Sequence, residues 1–161
     1  MNNVFLGIGT NLGKRENNLA AAIKRIGENV GKVLKYSSIY ETEPWGFRAE
    51  DQFLNMVIMV KSDLSPSVLL EQILNIESSL GRVRSTERYS SRLIDIDILL
   101  YEDIIVDDQN LKIPHPLLDK RRFVLVPLCE IAAEVVHPTL KKTMAELLEI
   151  CEDQSDVRKY H

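Results

Sequence analysis

The sequence predicts an α+β fold in which helices pack on one face of a mainly antiparallel sheet. Short runs of β-branched and aromatic residues alternate with two stretches of helical hydrophobic spacing. Glycine and proline stand between these runs, and no internal repeat or low-complexity tract divides the 161 residues. We therefore expect a single domain over residues 1–161.

The first half of the chain predicts a strand, a helix and two further strands. Residues 4–8 are short, apolar and followed by turn-prone residues, which is typical of an opening strand. Spacings of four, three and four place one apolar helical face on Leu19, Ile23, Ile26 and Val30. Residues 33–40 and 53–60 then read as strands on either side of a polar loop.

The second half predicts another helix and strand, then added pieces. Ser65 followed by proline marks a helix start, and helical spacing continues until Gly81. Residues 93–101 read as a strand, after which an acidic turn sends the chain back through 104–106. Residues 122–133 and 143–150 read as helices. The predicted fold is a ferredoxin-like βαββαβ core with a C-terminal hairpin and helices.

Composition excludes several classes of protein. Lys and Arg number 20 against 24 Asp and Glu, so a net charge of −4 argues against nucleic-acid coating. Apolar runs are too short to cross a bilayer, and the first residues lack a basic secretory start. Two cysteines without a CxxC spacing suit a reducing compartment. We expect a cytoplasmic monomer without nucleic-acid or membrane partners.

The stretch RLIDIDILL, residues 92–100, carries the strongest chemical signal. On a strand, alternate residues share a face, so Asp95 and Asp97 lie side by side, opposite the isoleucines. Carboxylates about 7 Å apart repel each other and favour a compensating cation. Mg²⁺ prefers such oxygen ligands and is commonly completed by substrate phosphates. The alternative is a strand with one solvated face.

Arginines precede this strand at unusual density, at Arg82, Arg84, Arg88 and Arg92. Guanidinium groups beside paired carboxylates fit a polyphosphate, whose oxygens they and Mg²⁺ would neutralise together. The alternative is mutual ion pairing on a solvated loop, which contributes little to stability.

Three further positions are weaker candidates. His115 lies between two prolines, which presents its ring on a stiff backbone; alternatively it caps a turn. Arg121, in a basic run close after it, fits the same anion site or a solvated turn. Glu77 follows the core residue Ile76 by one position, which favours a solvated helical face.

A second group of candidate residues combines aromatic side chains with one amide. Asn55 interrupts an apolar strand, and a buried amide needs hydrogen-bond partners. A flat heteroaromatic ligand between aromatic rings would explain Trp45, Phe53, Asn55 and Phe123 together. Ordinary core packing is the alternative for each ring.

The glycine-rich stretch at residues 7–14 departs from both phosphate-binding patterns. The Walker pattern would need glycine at Ile8 and Ser or Thr at Arg15, and GxGxxG would need glycine at Leu12. We interpret it as a strand-to-helix turn without a nucleotide role of its own.

Nearly the whole chain resembles the 6-hydroxymethyl-7,8-dihydropterin pyrophosphokinase family. The resemblance runs through GIGTNLG (7–13), YETEPWG (40–46), FLN (53–55), IESSLGRVR (76–84), RLIDID (92–97), IPHP (113–116), RRFVL (121–125) and PLCEIA (127–132). It implies a Mg²⁺-dependent transferase that moves pyrophosphate from ATP to the pterin hydroxymethyl group in folate biosynthesis, releasing AMP.

The resemblance also assigns residues. Asp95 and Asp97 match ligands of two Mg²⁺ ions, and Arg82 and Arg92 match arginines that stabilise the transferring group. Positions around ATP are matched by Glu77, Arg82, Arg84, Arg92, His115 and Arg121. The pterin pocket is matched by Thr42, Pro44, Trp45, Phe53, Asn55 and Phe123, with the two phenylalanines as the stacking pair.

Two other classes stay open from the residues alone. A non-catalytic module on the same fold would bind nucleotide or pterin without turnover. A metal-dependent phosphodiesterase would use the aspartate pair to release phosphate or pyrophosphate into water without pterin.

Overall fold

The structure, a computed structural model, describes residues 1–42, 52–81 and 93–160. Its strands are β1 (Asn2–Thr10), β2 (Lys32–Tyr36), β3 (Tyr40–Thr42), β4 (Phe53–Ser62), β5 (Asp95–Tyr101), β6 (Val106–Asp107), β7 (Lys112–Ile113) and β8 (Val157–Lys159). Its helices are α1 (Arg15–Asn29), α2 (Pro66–Ser79), α3 (Arg122–Ala132) and α4 (Met144–Glu149), with a 3-10 turn at Leu118–Lys120.

The main sheet has the order β5-β1-β4-β3-β8, and β2 also pairs with β4. Its pairs are antiparallel throughout. Because β2 and β3 lie along the same edge of β4, they act together as one interrupted strand. The element order is then βαββαβ, and the predicted α+β, ferredoxin-like, mainly antiparallel arrangement is confirmed.

The strand predicted over 33–40 is interrupted. The β2–β4 register shifts between Val33 and Lys35. Beyond β2, the Ser37 hydroxyl accepts a hydrogen bond from the Val57 backbone N–H at 2.9 Å. A side chain thus replaces a ladder partner at this point, and β3 begins only at Tyr40.

The chain turns back after β5, but residues 104–106 lead into a hairpin of β6 with β7. The chain turns at Glu102, which has φ +48. Val106 then pairs with Ile113 in a separate two-stranded sheet, not with β5. Strand β8 was not predicted.

The helix boundaries follow local chemistry. The Ser65 hydroxyl accepts from the Val68 N–H at 3.4 Å, and Pro66 opens α2. Gly81, with φ +90, follows the end of α2, as its sequence position predicted. Thr143 and Glu146 form a capping box at the start of α4. Among the described helices, none combines the length and apolar character needed to cross a bilayer.

The sheet separates two apolar clusters. The larger lies under α1 and α2 and includes Leu6, Ile8, Leu19, Ile26, Ile58, Leu69, Ile73, Ile96 and Ile98. The other lies under α3 and α4 and includes Phe5, Val57, Leu99, Leu100, Leu125, Leu128, Met144 and Leu147. Burial of these side chains is the main favourable term for folding. Leu99 of β5 is buried in this second cluster, whereas Asp95 and Asp97 of the same strand are only half-buried.

Candidate active site

The aspartate pair stands at the start of β5. Ile96 and Ile98 are buried in the cluster under α1 and α2, whereas Asp95 and Asp97 are only half-buried. Strand alternation therefore places the two carboxylates together on the opposite face, about 7 Å apart along the strand. This is the arrangement that the sequence predicted.

Glycines face both carboxylates from the neighbouring strand. In β1, Gly9 pairs with Asp95 and Gly7 pairs with Asp97. A Cβ at Gly9 would lie 2.8 Å from the Asn55 Oδ1, closer than side chains tolerate. Strand β1 continues to Thr10, so the predicted strand at residues 4–8 is longer than expected, and the interpretation of Gly9 and Thr10 as part of the turn was wrong. Alternating glycine in a strand signals close approach by another group, and that signal was available in the sequence.

Glu77 is buried beside the same strand. Its side chain is 3% exposed, and its Oε2 accepts the Ile96 backbone N–H at 2.9 Å. The expectation of a solvated helical face was therefore wrong for Glu77. Because β5 is the terminal strand of the sheet, its outward N–H needs a partner from outside the sheet. Glu77 supplies that partner between the two aspartates.

His115 and Arg121 share one electrostatic environment. The His115 Nδ1 accepts from the Leu117 N–H at 3.1 Å. Burial lowers the pKa of His115 to about 4, with a further lowering from Arg121, while Asp95 opposes both. At neutral pH the ring is uncharged, so its proton lies on Nε2, which is a donor. Arg121 therefore lies close enough to His115 for its charge to act on the ring.

Asn55 and Thr42 form a buried polar pair. The Asn55 Nδ2 donates to the Thr42 Oγ1 at 2.7 Å, and Asn55 is 8% exposed. Phe53 lies two residues away on the same face of β4, half-buried, with its ring beside Gly9. Two members of the predicted aromatic and amide set, Phe53 and Asn55, therefore occur together on β4, and Thr42 lies beside them on β3.

Phe123 lies in the first turn of α3. The Arg121 guanidinium is 5.6 Å from the centre of its ring, a cation–π distance. The charges of Arg121 and Asp95 both shift the pKa of His115, so these three residues lie near one another. Phe123, in contact with Arg121, therefore lies in the same region as the aspartate pair. Gly9 joins Asp95 to Asn55 from the other side.

Six candidate residues named from the sequence lie outside the described residues. They are Pro44, Trp45, Arg82, Arg84, Arg88 and Arg92.

The aspartate pair fits a Mg²⁺ site completed from outside the protein. The two carboxylates offer hard oxygen ligands on a half-exposed surface, and their register partners on β1 are glycines. In the described part of the chain, His, Cys, Asp and Glu form no metal-binding group of three or more. Magnesium sites with one or two carboxylates, completed by water and phosphate, are common.

Solved structures share this fold. A Plasmodium falciparum HPPK-DHPS structure with SDX-DHP matches 92% of the chain with a TM-score of 0.76 and 19% identity. A second structure of this protein, described as wild type, matches with a TM-score of 0.73 and 17% identity. The chain spans 43% and 44% of those two chains. At these identities the likeness shows the α+β fold alone.

Sequence comparison identifies the family within that fold class. The model of the 7,8-dihydro-6-hydroxymethylpterin-pyrophosphokinase (HPPK) family matches residues 5–133. Relatives named 2-amino-4-hydroxy-6-hydroxymethyldihydropteridine pyrophosphokinase are 40% identical in Aquifex aeolicus, over 91% of this chain and 90% of theirs. The Bacillus subtilis relative is 38% identical over 99% and 97%. The chain belongs to the HPPK family.

Proposed function

We infer that the chain is an ATP-dependent pterin pyrophosphokinase. It transfers pyrophosphate from ATP to the hydroxymethyl group of 6-hydroxymethyl-7,8-dihydropterin and releases AMP, a step of folate biosynthesis. Family membership across residues 5–133 supports this function most strongly. The grouping of Asp95, Asp97, His115 and Arg121 at one end of the sheet supports it independently.

On the ATP side, we assign phosphate binding to His115 and Arg121. The neutral His115 ring offers an Nε2–H donor, since its Nδ1 is occupied by the Leu117 N–H. Arg121 adds a fixed positive charge next to it. The family match adds Glu77, Arg82, Arg84 and Arg92 to this set, with Arg82 and Arg92 offsetting charge on the transferring group.

On the pterin side, we assign recognition to the Asn55 amide, supported by Thr42. Rings of Phe53 and Phe123 would stack on the two faces of the flat heterocycle, as aromatic side chains commonly do. The family match adds Pro44 and Trp45. The substrate hydroxyl oxygen then attacks the β-phosphorus, the bond from that phosphorus to the α–β bridging oxygen breaks, and AMP leaves.

Asp95 and Asp97 would hold two Mg²⁺ ions. Bound there, the ions would offset phosphate charge and align the triphosphate with the pterin hydroxyl. The chain's own contribution is geometric: strand alternation fixes the spacing of the carboxylates, and the Glu77 carboxylate holds the Ile96 N–H between them.

The proposal extends to organisation and location. Residues 1–161 form a single domain that acts as a cytoplasmic monomer on small molecules. A net charge of −4 supports the absence of a nucleic-acid partner. The packing of α1 to α4 on one sheet supports the single domain.

One assay tests this function. The protein is incubated with ATP, Mg²⁺ and the pterin alcohol, and AMP and pterin diphosphate are measured. Equal amounts of both products are expected, and none without pterin or with excess chelator. Binding without AMP would instead indicate a sensor module. Phosphate or pyrophosphate released without pterin would indicate a phosphodiesterase.

A further inference from the structure

We propose that Arg15 of α1 and the C-terminal strand β8 position the pterin side of the site. They would do so by holding the short strand β3 against β4. This proposal rests on the function inferred above and assigns a role to residues beyond 133, where the family match ends.

Strand β3 depends on neighbours because it has only three residues, Tyr40–Thr42. It lies between β4 and β8, with Thr42 opposite Phe53 on one side and Val157 on the other. The Tyr160 N–H extends the second ladder by donating to the Ile39 carbonyl at 2.9 Å. Without β8, a three-residue strand would be the exposed edge of the sheet.

Arg15 joins β3 to the start of β4. Its Nη1 donates to the Gln52 carbonyl at 2.8 Å and lies 3.3 Å from the Glu41 Oε2. Gln52 immediately precedes Phe53, and Glu41 immediately precedes Thr42. The Arg15 side chain is 22% exposed, so these charge-assisted contacts are partly shielded from water.

Strand β8 reaches the same two residues. The Arg158 Nη2 donates to the Gln52 Oε1 at 2.9 Å and lies 4.0 Å from the Glu41 Oε1. Arg158 is 55% exposed and also pairs with Asp156, so we expect a smaller contribution from it than from Arg15.

Tyr160 closes this group of contacts. Its hydroxyl donates to the Glu16 Oε1 at 2.7 Å, and the Arg15 guanidinium lies 5.7 Å from the centre of its ring. Tyr160 is therefore held at the start of α1, where it contacts Arg15, the residue that also contacts β3.

A change in the position of β3 would affect the side chain of Asn55. Its amide donates to Thr42, which is the last residue of β3. A shift of β3 along β4 would rotate or release the amide that reads the pterin. The aspartate pair lies on β5, two strands away, and should feel this shift much less.

The test compares Arg15→Ala with Arg25→Ala. Both remove an arginine from α1, but Arg25 contacts Ser79 on α2, away from β3. We expect Arg15→Ala to raise the KM and Kd for pterin roughly tenfold, as expected for lost charge-assisted hydrogen bonds. The kcat and the affinity for a nonhydrolysable ATP analogue should stay within about twofold. Arg15→Lys should recover part of the pterin affinity.

A second variant tests the strand itself. Tyr160→Pro removes the backbone N–H that donates a hydrogen bond to the Ile39 carbonyl, whereas Tyr160→Phe keeps this N–H. The proline variant should weaken pterin binding more than the phenylalanine variant does. Unchanged pterin KM in both Arg15→Ala and Tyr160→Pro would overturn the proposal, as would an equal loss of ATP-analogue affinity. An inactive wild type would instead refute the proposed function.

Discussion

The two faces of β5 differ in chemistry although they belong to the same seven residues. One face carries Ile96 and Ile98 into the cluster under α1 and α2, and the other carries Asp95 and Asp97 to a half-exposed surface. Fixing the strand with apolar contacts on one side holds two like charges side by side on the other. Alternate residues of β5 therefore serve different purposes, one set stabilising the fold and the other set providing the chemical groups.

The largest expected effect tests the polar face. Replacing Asp95 and Asp97 by Asn should lower the rate of AMP formation by about 10³-fold or more, because metal assistance contributes several kcal/mol. The unfolding free energy should change by less than about 1 kcal/mol, since two like charges are lost. Steady-state kinetics and urea unfolding measure both effects. Full activity in this double variant would refute the assigned role.

The apolar face should respond in the opposite way. Ile98→Ala removes a side chain that is 6% exposed and should lower the unfolding free energy by roughly 2–5 kcal/mol. The kcat of the protein that remains folded should change only a few-fold. Leu74→Ala on α2, at a 51% exposed position, is the matched control and should cost less than about 0.5 kcal/mol. Equal costs at the two positions would contradict the assignment of the core.

A smaller effect concerns pH and the His115 ring. Its folded-state pKa of about 4 lies below the ordinary value of 6.5, so the unfolded chain binds the proton first as pH falls. This contribution to stability is present at pH 7 and is lost between about 6.5 and 4. The ligand-free wild type should lose roughly 2 kcal/mol more than His115→Asn between pH 7 and 5. Identical pH dependence in the two proteins would contradict the buried, neutral ring.

Patterns local in the chain predicted most of the fold. Ser65 followed by proline, with apolar residues at helical spacing, was enough to place α2 because capping and burial act within a few turns. Alternation placed Asp95 and Asp97 on one face because a strand repeats every two residues. Both features depend on neighbours in sequence alone.

Features that depend on distant partners were missed. Strand β8 is three residues long and mostly exposed, and only pairing with β3 makes it a strand. Glu77 reads as a solvated helical position until the sheet places the Ile96 N–H beside it. In both cases the deciding interaction joins segments that are far apart in the chain.

The most direct test of the paired carboxylates is calorimetry of a nonhydrolysable ATP analogue, with Mg²⁺ and with excess chelator. Wild-type protein should bind the analogue much more tightly with Mg²⁺, and Asp95→Asn with Asp97→Asn should remove that gain. If the double variant keeps the full Mg²⁺-dependent gain, the two aspartates do not anchor the nucleotide and the account is wrong.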